Sequence, residues 1–106
     1  IDNYLTPGRL FQILRFSKEY NIDLKKTNLK KLLMIFIKDK MYKKEKYLNE
    51  IFYYFAESFF RKNLTINNIT LHNFYSYFMK KIKDKKIYNL DEETLIMEFE
   101  DKVLIG

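Results

Sequence analysis

Apolar residues recur every three or four positions along most of the chain, which is the spacing of one face of a helix. The first such segment follows Thr6 and Pro7, an N-cap residue and a proline at the first helical position. We expect this helix to close at Asn21, which can adopt the left-handed conformation common at helix ends. Its shared apolar face is predicted to consist of Leu10, Ile13, Leu14 and Ser17.

A second helix is predicted to begin near Asp23 or Thr27, since both residues are good N-caps. Its apolar positions follow the pattern of an amphipathic helix with one buried face. That stripe consists of Leu29, Leu32, Leu33, Phe36 and Ile37.

A third helix is predicted from about Lys44 to Lys62, and it contains the aromatic run IFYYFAESFF at residues 51–60. A membrane span needs about 20 apolar residues, and charged residues interrupt this run well before that length. We therefore predict a core helix, with stacking against nucleic-acid bases as the alternative. The predicted core face consists of Ile51, Phe52, Phe55 and Phe59.

The last third of the chain begins with a polar, asparagine-rich segment, NLTINNIT, which is typical of a loop. A fourth helix follows, with the stripe Leu71, Phe74, Tyr75, Phe78, Met79 and Ile82. The final segment starts with Asn89 and Glu92 at capping-box spacing, which favours a helix. A β-hairpin turning at Glu100 and Asp101 is the alternative, but its turn would lack glycine or asparagine. In the helix, the inward residues would be Leu95, Ile96, Phe99 and Val103.

These segments predict an all-α fold of about five helices, in a compact bundle or an array of helix–loop–helix pairs with a C-terminal tail helix. Residues 1–88 would form a core of two helix pairs, and residues 89–106 an acidic helix packed on it. With 106 residues, 47% of them hydrophobic, the chain is expected to fold as a single domain. Two glycines and one proline leave little material for tight turns.

Charge is divided more sharply than hydrophobicity. The net charge is +6, and residues 23–46 hold nine lysines against three acidic residues, a net of +6. Residues 63–88 hold five lysines against one acid, a net of +4, whereas residues 89–106 hold six acids against one lysine, a net of −5. A basic balance of this kind favours an anionic partner such as nucleic acid.

The lysines supply the main functional hypothesis, a non-catalytic module that binds RNA or single-stranded nucleic acid through phosphate contacts. An ordinary solvated surface is the alternative, because the chain has only three arginines and no recognisable base-reading motif. The candidate contact residues are Lys26, Lys30, Lys31, Lys38, Lys43, Lys44, Lys80, Lys81 and Lys83.

A protein-interaction module, such as an adaptor, an inhibitor or a subunit of a larger complex, is the second functional hypothesis. It depends on exposed aromatic residues, since tyrosine combines an apolar ring with a hydroxyl that needs water or a partner. The candidate interface residues are Tyr42, Tyr47, Tyr53 and Tyr54.

We expect no enzymatic activity, metal or cofactor. The chain has no cysteine, and its single histidine, His72, has no carboxylate in the local stretch TLHNFY. No glycine-flanked serine points to a nucleophile. The lack of cysteine fits a reducing compartment, so an intracellular protein without a membrane span is expected.

Two short segments resemble known families, and we assign the chain to neither. The segment NNITLHNFYSYF resembles the exit of an EF-hand loop, where an aliphatic residue precedes a threonine and a new helix. In that register Lys62, Leu64, Ile66 and Asn73 would occupy ligand positions one, three, five and twelve, and Asn67 would replace the glycine, which implies a loop without calcium. The segment LTPGRLFQILRFSKEYNI resembles one helix of the organellar RNA-binding helical-repeat proteins.

Addition of millimolar calcium is expected to leave the melting temperature unchanged, because the loop supplies too few hard oxygen ligands. Thermal unfolding followed by circular dichroism, with and without calcium, measures this directly. A clear upward shift would show that NLTINNIT, or the segment from Ser17 to Asp23, holds the ion after all.

Overall fold

The computed structural model describes residues 5–63, 68–83 and 89–105. Every regular element in this part of the chain is a helix. The predicted all-α fold with five helices is confirmed, and the final segment is a helix rather than a hairpin. The α-helices are α1 (Pro7–Glu19), α2 (Leu29–Lys38), α3 (Lys46–Asn63), α4 (Ile69–Lys83) and α5 (Asn89–Phe99). A 3₁₀ turn, Met41–Lys43, precedes α3, and a π-helical segment, Glu100–Ile105, follows α5.

The ends of α1 agree with the sequence prediction, with a side-chain cap at the N-terminus and a left-handed residue at the C-terminus. The Thr6 hydroxyl accepts a hydrogen bond from the Arg9 backbone N–H at 3.2 Å, and Pro7 occupies the first turn. At the other end Asn21 has a positive φ of 51°. The Ile22 N–H then donates to the Ser17 carbonyl at 3.0 Å, which is the long hydrogen bond of a Schellman motif.

The N-cap of α2 lies one residue after Thr27 and five after Asp23, the two predicted N-caps. The N-cap is Asn28, whose side chain accepts from the Lys31 N–H at 2.8 Å, rather than Asp23 or Thr27. Asp23 instead accepts from the Lys25 N–H at 2.9 Å and so stabilises a turn before the helix. An asparagine caps as well as an aspartate, and Asn28 directly precedes the apolar stripe.

The chain divides into two compact units, residues 1–59 and residues 60–106, which we call the first and second units. The boundary falls inside α3, so the last turn of that helix belongs with α4 and α5. The predicted grouping of residues 1–88 and 89–106 within a single domain stays a prediction.

Aromatic contacts centred on Phe36 of α2 form the core of the first unit. The Phe36 ring centroid lies 4.9 Å from that of Phe16 in α1 and 5.9 Å from those of Phe52 and Phe55 in α3. Pairs at this separation add to the free energy gained from burial alone. The side chains of Phe16, Phe36 and Phe52 are 0% exposed, and that of Phe55 is 4% exposed. The predicted core interpretation of this part of the aromatic run is therefore correct.

The predicted apolar face of α1 is right at Ile13 but wrong at Leu10 and Leu14. The structure buries Ile13 and Phe16, whereas Leu10 is 39% exposed and Leu14 is 51% exposed. Helix α1 carries apolar side chains on two sides, so periodicity alone does not choose between them. The side chosen is the one that brings the large Phe16 ring against Phe36.

The second unit is built around Phe60, the aromatic residue near the end of α3. Its ring lies 5.5 Å from Phe78 of α4 and 5.4 Å from Phe99 of α5, and all three side chains are 0% exposed. Phe78 and Phe99 contact each other at 5.3 Å, so α5 packs on α4 through apolar rings. Around these rings the buried residues are Phe74, Leu95, Ile96 and Leu104.

The inward position after Phe99 is Leu104 rather than the predicted Val103. Leu104 is 3% exposed, while Val103 is only half-buried. The cause is the π-helical turn of Glu100–Ile105, because π geometry brings residues five apart, rather than four, onto one side. Within the described residues, no helix is both long and apolar enough to cross a membrane. The Asn89 side chain, predicted to form a capping box, lies outside the described part.

Replacement of Phe55 by alanine should lower the free energy of unfolding by about 3–5 kcal/mol, because it leaves a cavity beside Phe36. Chemical denaturation followed by circular dichroism measures the change. Phe11→Ala is the matched control, since that ring is 73% exposed, and should stay within about 0.5 kcal/mol of wild type. A loss below about 1 kcal/mol for Phe55→Ala would contradict its place in the core.

Candidate nucleic-acid interface

Helix α2 holds exposed lysines at both of its ends. Lys30 and Lys31 lie in its first turn and Lys38 in its last, while Lys26 follows the turn made by Asp23. Lys31 and Lys38 are seven residues apart, so they share one side of the helix about 10 Å apart along its axis. The opposite side carries Leu32, Leu33 and Phe36 into the core.

The lysines continue past the end of α2 because the backbone turns sharply there. Lys40 adopts a left-handed conformation with φ of 50°, and the 3₁₀ turn Met41–Lys43 follows it. Met41 and Tyr42 point into the core at 2% and 4% exposure. Their burial leaves the neighbouring Lys43 and Lys44 exposed to solvent.

Most of these lysines have no anionic partner within the described residues. The side chains of Lys30, Lys31 and Lys38 make no ion pair there, and the same is true of Lys26 and Lys44. Lys43 does take part in an interaction within the chain. The positive charge near α2 is therefore available to an external anion.

By contrast, the carboxylates between α1 and α3 form ion pairs with arginines. Arg9 lies 3.5 Å from Glu50, which also accepts a hydrogen bond from the Gln12 amide at 2.7 Å. These contacts join the first turns of α1 to α3. Glu50 is therefore engaged by side chains of α1 rather than by the lysines of α2.

A second arginine cluster joins the C-terminal half of α1 to the start of α3. Arg15 contacts Glu19 at 2.7 Å and Glu45 at 3.2 Å, and its guanidinium carbon lies 4.0 Å from the centroid of the Tyr47 ring. The Tyr47 hydroxyl donates to Glu19 at 2.7 Å. The hydrogen bond from Arg15, with that from Tyr47, lowers the pKa of Glu19. Burial, with the bond to Glu19, raises the pKa of Tyr47.

A shallow groove lies on the solvent side of α2. Its volume is about 490 Å³, and its lining includes Asn28, Lys30, Lys31, Met34 and Ile35. Met34 and Ile35 are half-buried, so they present apolar surface beside two lysine ammonium groups. The groove can accept a group that is apolar at its centre and anionic at its edge.

The remaining candidate lysines belong to the second unit. Lys80, Lys81 and Lys83 lie in the last turn of α4, where cations complement the helix dipole. The Lys81 ammonium lies 5.8 Å from the centroid of the Tyr77 ring, which is 41% exposed. A single face formed by the lysines of both units stays a prediction.

Two of the predicted interface tyrosines are buried. Tyr42 is 4% exposed and Tyr47 is 8% exposed, because each ring packs in the first unit. Tyr53 and Tyr54 are half-buried. We therefore correct the expectation that Tyr42 and Tyr47 present exposed rings. Sequence reasoning missed an exposed apolar surface on α1. The sequence feature that indicates it is the second apolar side of that helix.

His72 is exposed on α4, and no group of three or more potential metal-ligating side chains occurs in residues 5–63, 68–83 and 89–105. No family model matches the chain, and neither a curated protein nor a solved structure matches it.

Glu19 is expected to make stability depend on pH in the acidic range. Because its folded-state pKa lies below the ordinary value of 4.5, its stabilising effect is present above pH 4.5 and is lost as the pH falls through the lowered pKa. The unfolding free energy of wild type and Glu19→Gln should therefore differ at pH 6 and converge near pH 2, as measured by urea denaturation.

Arg15→Gln provides the matched background, because Arg15 is the main cause of the lowered pKa. In that background, Glu19→Gln should change the pH dependence much less. An equal change in both backgrounds would contradict the assigned cause.

Proposed function

We propose that this chain is a non-catalytic nucleic-acid-binding module whose main contact surface is the lysine-bearing side of α2. The observation that carries the proposal is the separation of charge in the first unit. Lys30, Lys31 and Lys38 are exposed without a carboxylate partner in the described residues, while Arg9 and Arg15 bind the neighbouring acids.

These lysines are suited to binding the phosphate groups of a nucleic acid. A lysine ammonium binds phosphate as a point charge and lacks the planar fork with which arginine reads a guanine edge. Binding would therefore be dominated by release of counterions and would depend weakly on sequence. The α2 surface offers no exposed arginine of its own, which fits this mode.

A single strand suits the groove better than a duplex. Met34 and Ile35 give a partly apolar lining beside Lys30 and Lys31, and unpaired bases and sugars have apolar faces that a duplex conceals. In the second unit, the lysines of α4 are a separate candidate phosphate contact, near the exposed ring of Tyr77. RNA or single-stranded DNA is therefore the proposed ligand class.

A protein-interaction module remains the second proposal, supported by different residues from those first predicted. Phe11 is 73% exposed and Leu14 is 51% exposed on the same helix. Binding through apolar side chains responds weakly to salt, whereas binding through phosphates weakens steeply as salt rises. A salt titration therefore separates the two functions.

Lys30→Gln combined with Lys31→Gln should weaken binding to a labelled 20-nucleotide single strand at low salt. The slope of log affinity against log salt should become shallower by about 0.7 for each phosphate group that the variant no longer binds. Fluorescence anisotropy between about 20 and 200 mM salt measures both quantities. RNA, single-stranded DNA and duplex DNA are compared in parallel, with the single strands expected to bind more tightly.

The matched control is Lys18→Gln combined with Lys62→Gln, which removes the same charge from exposed positions on α1 and α3. It should weaken binding much less. Equal weakening by both pairs would show that only net charge matters and would remove α2 as the contact surface. Failure of wild type to bind any of the three ligands at low salt would end the nucleic-acid proposal.

A further inference from the structure

Helix α1 has two apolar sides, and the first unit covers one of them. Ile13 and Phe16 are 1% and 0% exposed, whereas Leu10, Phe11 and Leu14 are 39%, 73% and 51% exposed. A helix that is apolar on both sides is normally buried on both. The exposed side therefore has the composition of a contact surface, which we call the α1 patch: Pro7, Leu10, Phe11, Leu14 and Lys18.

The spacing of the α1 patch suits a helical partner. Its members recur at intervals of three or four residues, with Leu10 and Phe11 adjacent in sequence, and the patch extends about 16 Å from Pro7 to Lys18. An amphipathic helix of three turns presents a complementary row of side chains over the same length. Beside Phe11 the surface is open, since a Cβ added at Gly8 would meet no heavy atom within 4 Å.

Charge around the α1 patch selects an acidic partner. The helix has no acidic residue in its first turn and has Lys18 in its last, and the Lys18 side chain makes no ion pair in the described residues. The nearby carboxylates of Glu19 and Glu50 are held by Arg15 and Arg9. The patch therefore has the positive end of the helix dipole at its N-terminal end, and the Lys18 ammonium group beside the negative end of the dipole at the other.

The same charges disfavour a second copy of this chain as the occupant. Two α1 helices packed antiparallel would each place Lys18 beside the positive N-terminal end of the other. Two copies would also each bring a net charge of +6. A lipid surface is disfavoured because membrane-surface helices carry several cations on their polar rim, whereas among the described residues Lys18 is the one cation of α1 that makes no ion pair.

We infer that the α1 patch is a docking site for an acidic amphipathic helix of another protein, with Phe11 as the central anchor. Phe11 is the most exposed large side chain of the patch, and buried aromatic anchors carry most of the affinity at interfaces of this kind. Leu10 and Leu14 would flank the anchor, and Lys18 would meet an acidic residue at the partner's N-terminal or C-terminal rim. This binding is independent of nucleic-acid binding on α2.

Two synthetic peptides with the same leucine stripe test the inference, one with glutamate and one with lysine at the flanking positions. The acidic peptide should bind at least tenfold more tightly than the basic one, as measured by fluorescence anisotropy. Amide chemical-shift changes should cluster at residues 7–18. Phe11→Ser combined with Leu14→Ser should weaken binding of the acidic peptide at least tenfold, and Lys18→Glu should narrow the difference between the two peptides.

Ile69→Ser is the matched control, because Ile69 is 70% exposed on α4, and this variant should bind the acidic peptide like wild type. Circular dichroism of each variant verifies that loss of binding is not loss of folding. Absence of peptide binding, or binding that survives the Phe11 and Leu14 changes, would overturn the inference. Two other results would also overturn it: a concentration-dependent dimer, or binding to anionic vesicles, if the Phe11 and Leu14 changes abolish it. Either result would show that the patch binds a second copy of the chain or a lipid surface instead.

Discussion

The packing of Phe36 against rings from α1 and α3 is the contact on which the first unit depends. It fixes which side of α1 faces inward, because Phe16 must reach Phe36 at 4.9 Å. It also fixes the rotation of α2, so that Lys31 and Lys38 face solvent together. A burial requirement for one ring thus decides the positions of both the lysine surface and the α1 patch.

Sequence patterns predicted α2 and α4 well because each has one apolar side, so there was only one way to bury it. For α1 the same reasoning failed, since the choice between two apolar sides depends on the shape of a neighbouring helix. Val103 and Leu104 show another limit, because a π turn changes the period that the prediction assumed. The exposed lysines were predictable from charge alone, whereas the absence of a carboxylate partner for Lys30, Lys31 and Lys38 among the described residues depends on contacts between helices.

The aromatic run in α3 also shows how one helix can serve two cores. Phe52 and Phe55 contact Phe36, while Phe60 contacts Phe78 and Phe99. Hydrogen bonding continues through α3 from Lys46 to Asn63, so both aromatic clusters stabilise the same helix. The density of rings between residues 51 and 60 follows from this double use.

The left-handed backbone of Lys40 places a long cationic side chain where glycine would fit with less strain. A glycine there would relieve this backbone strain, but it would also remove one positive charge and the interaction that Lys40 makes within the chain. Selection for heat resistance and selection for affinity toward anions would therefore act in opposite directions at this position.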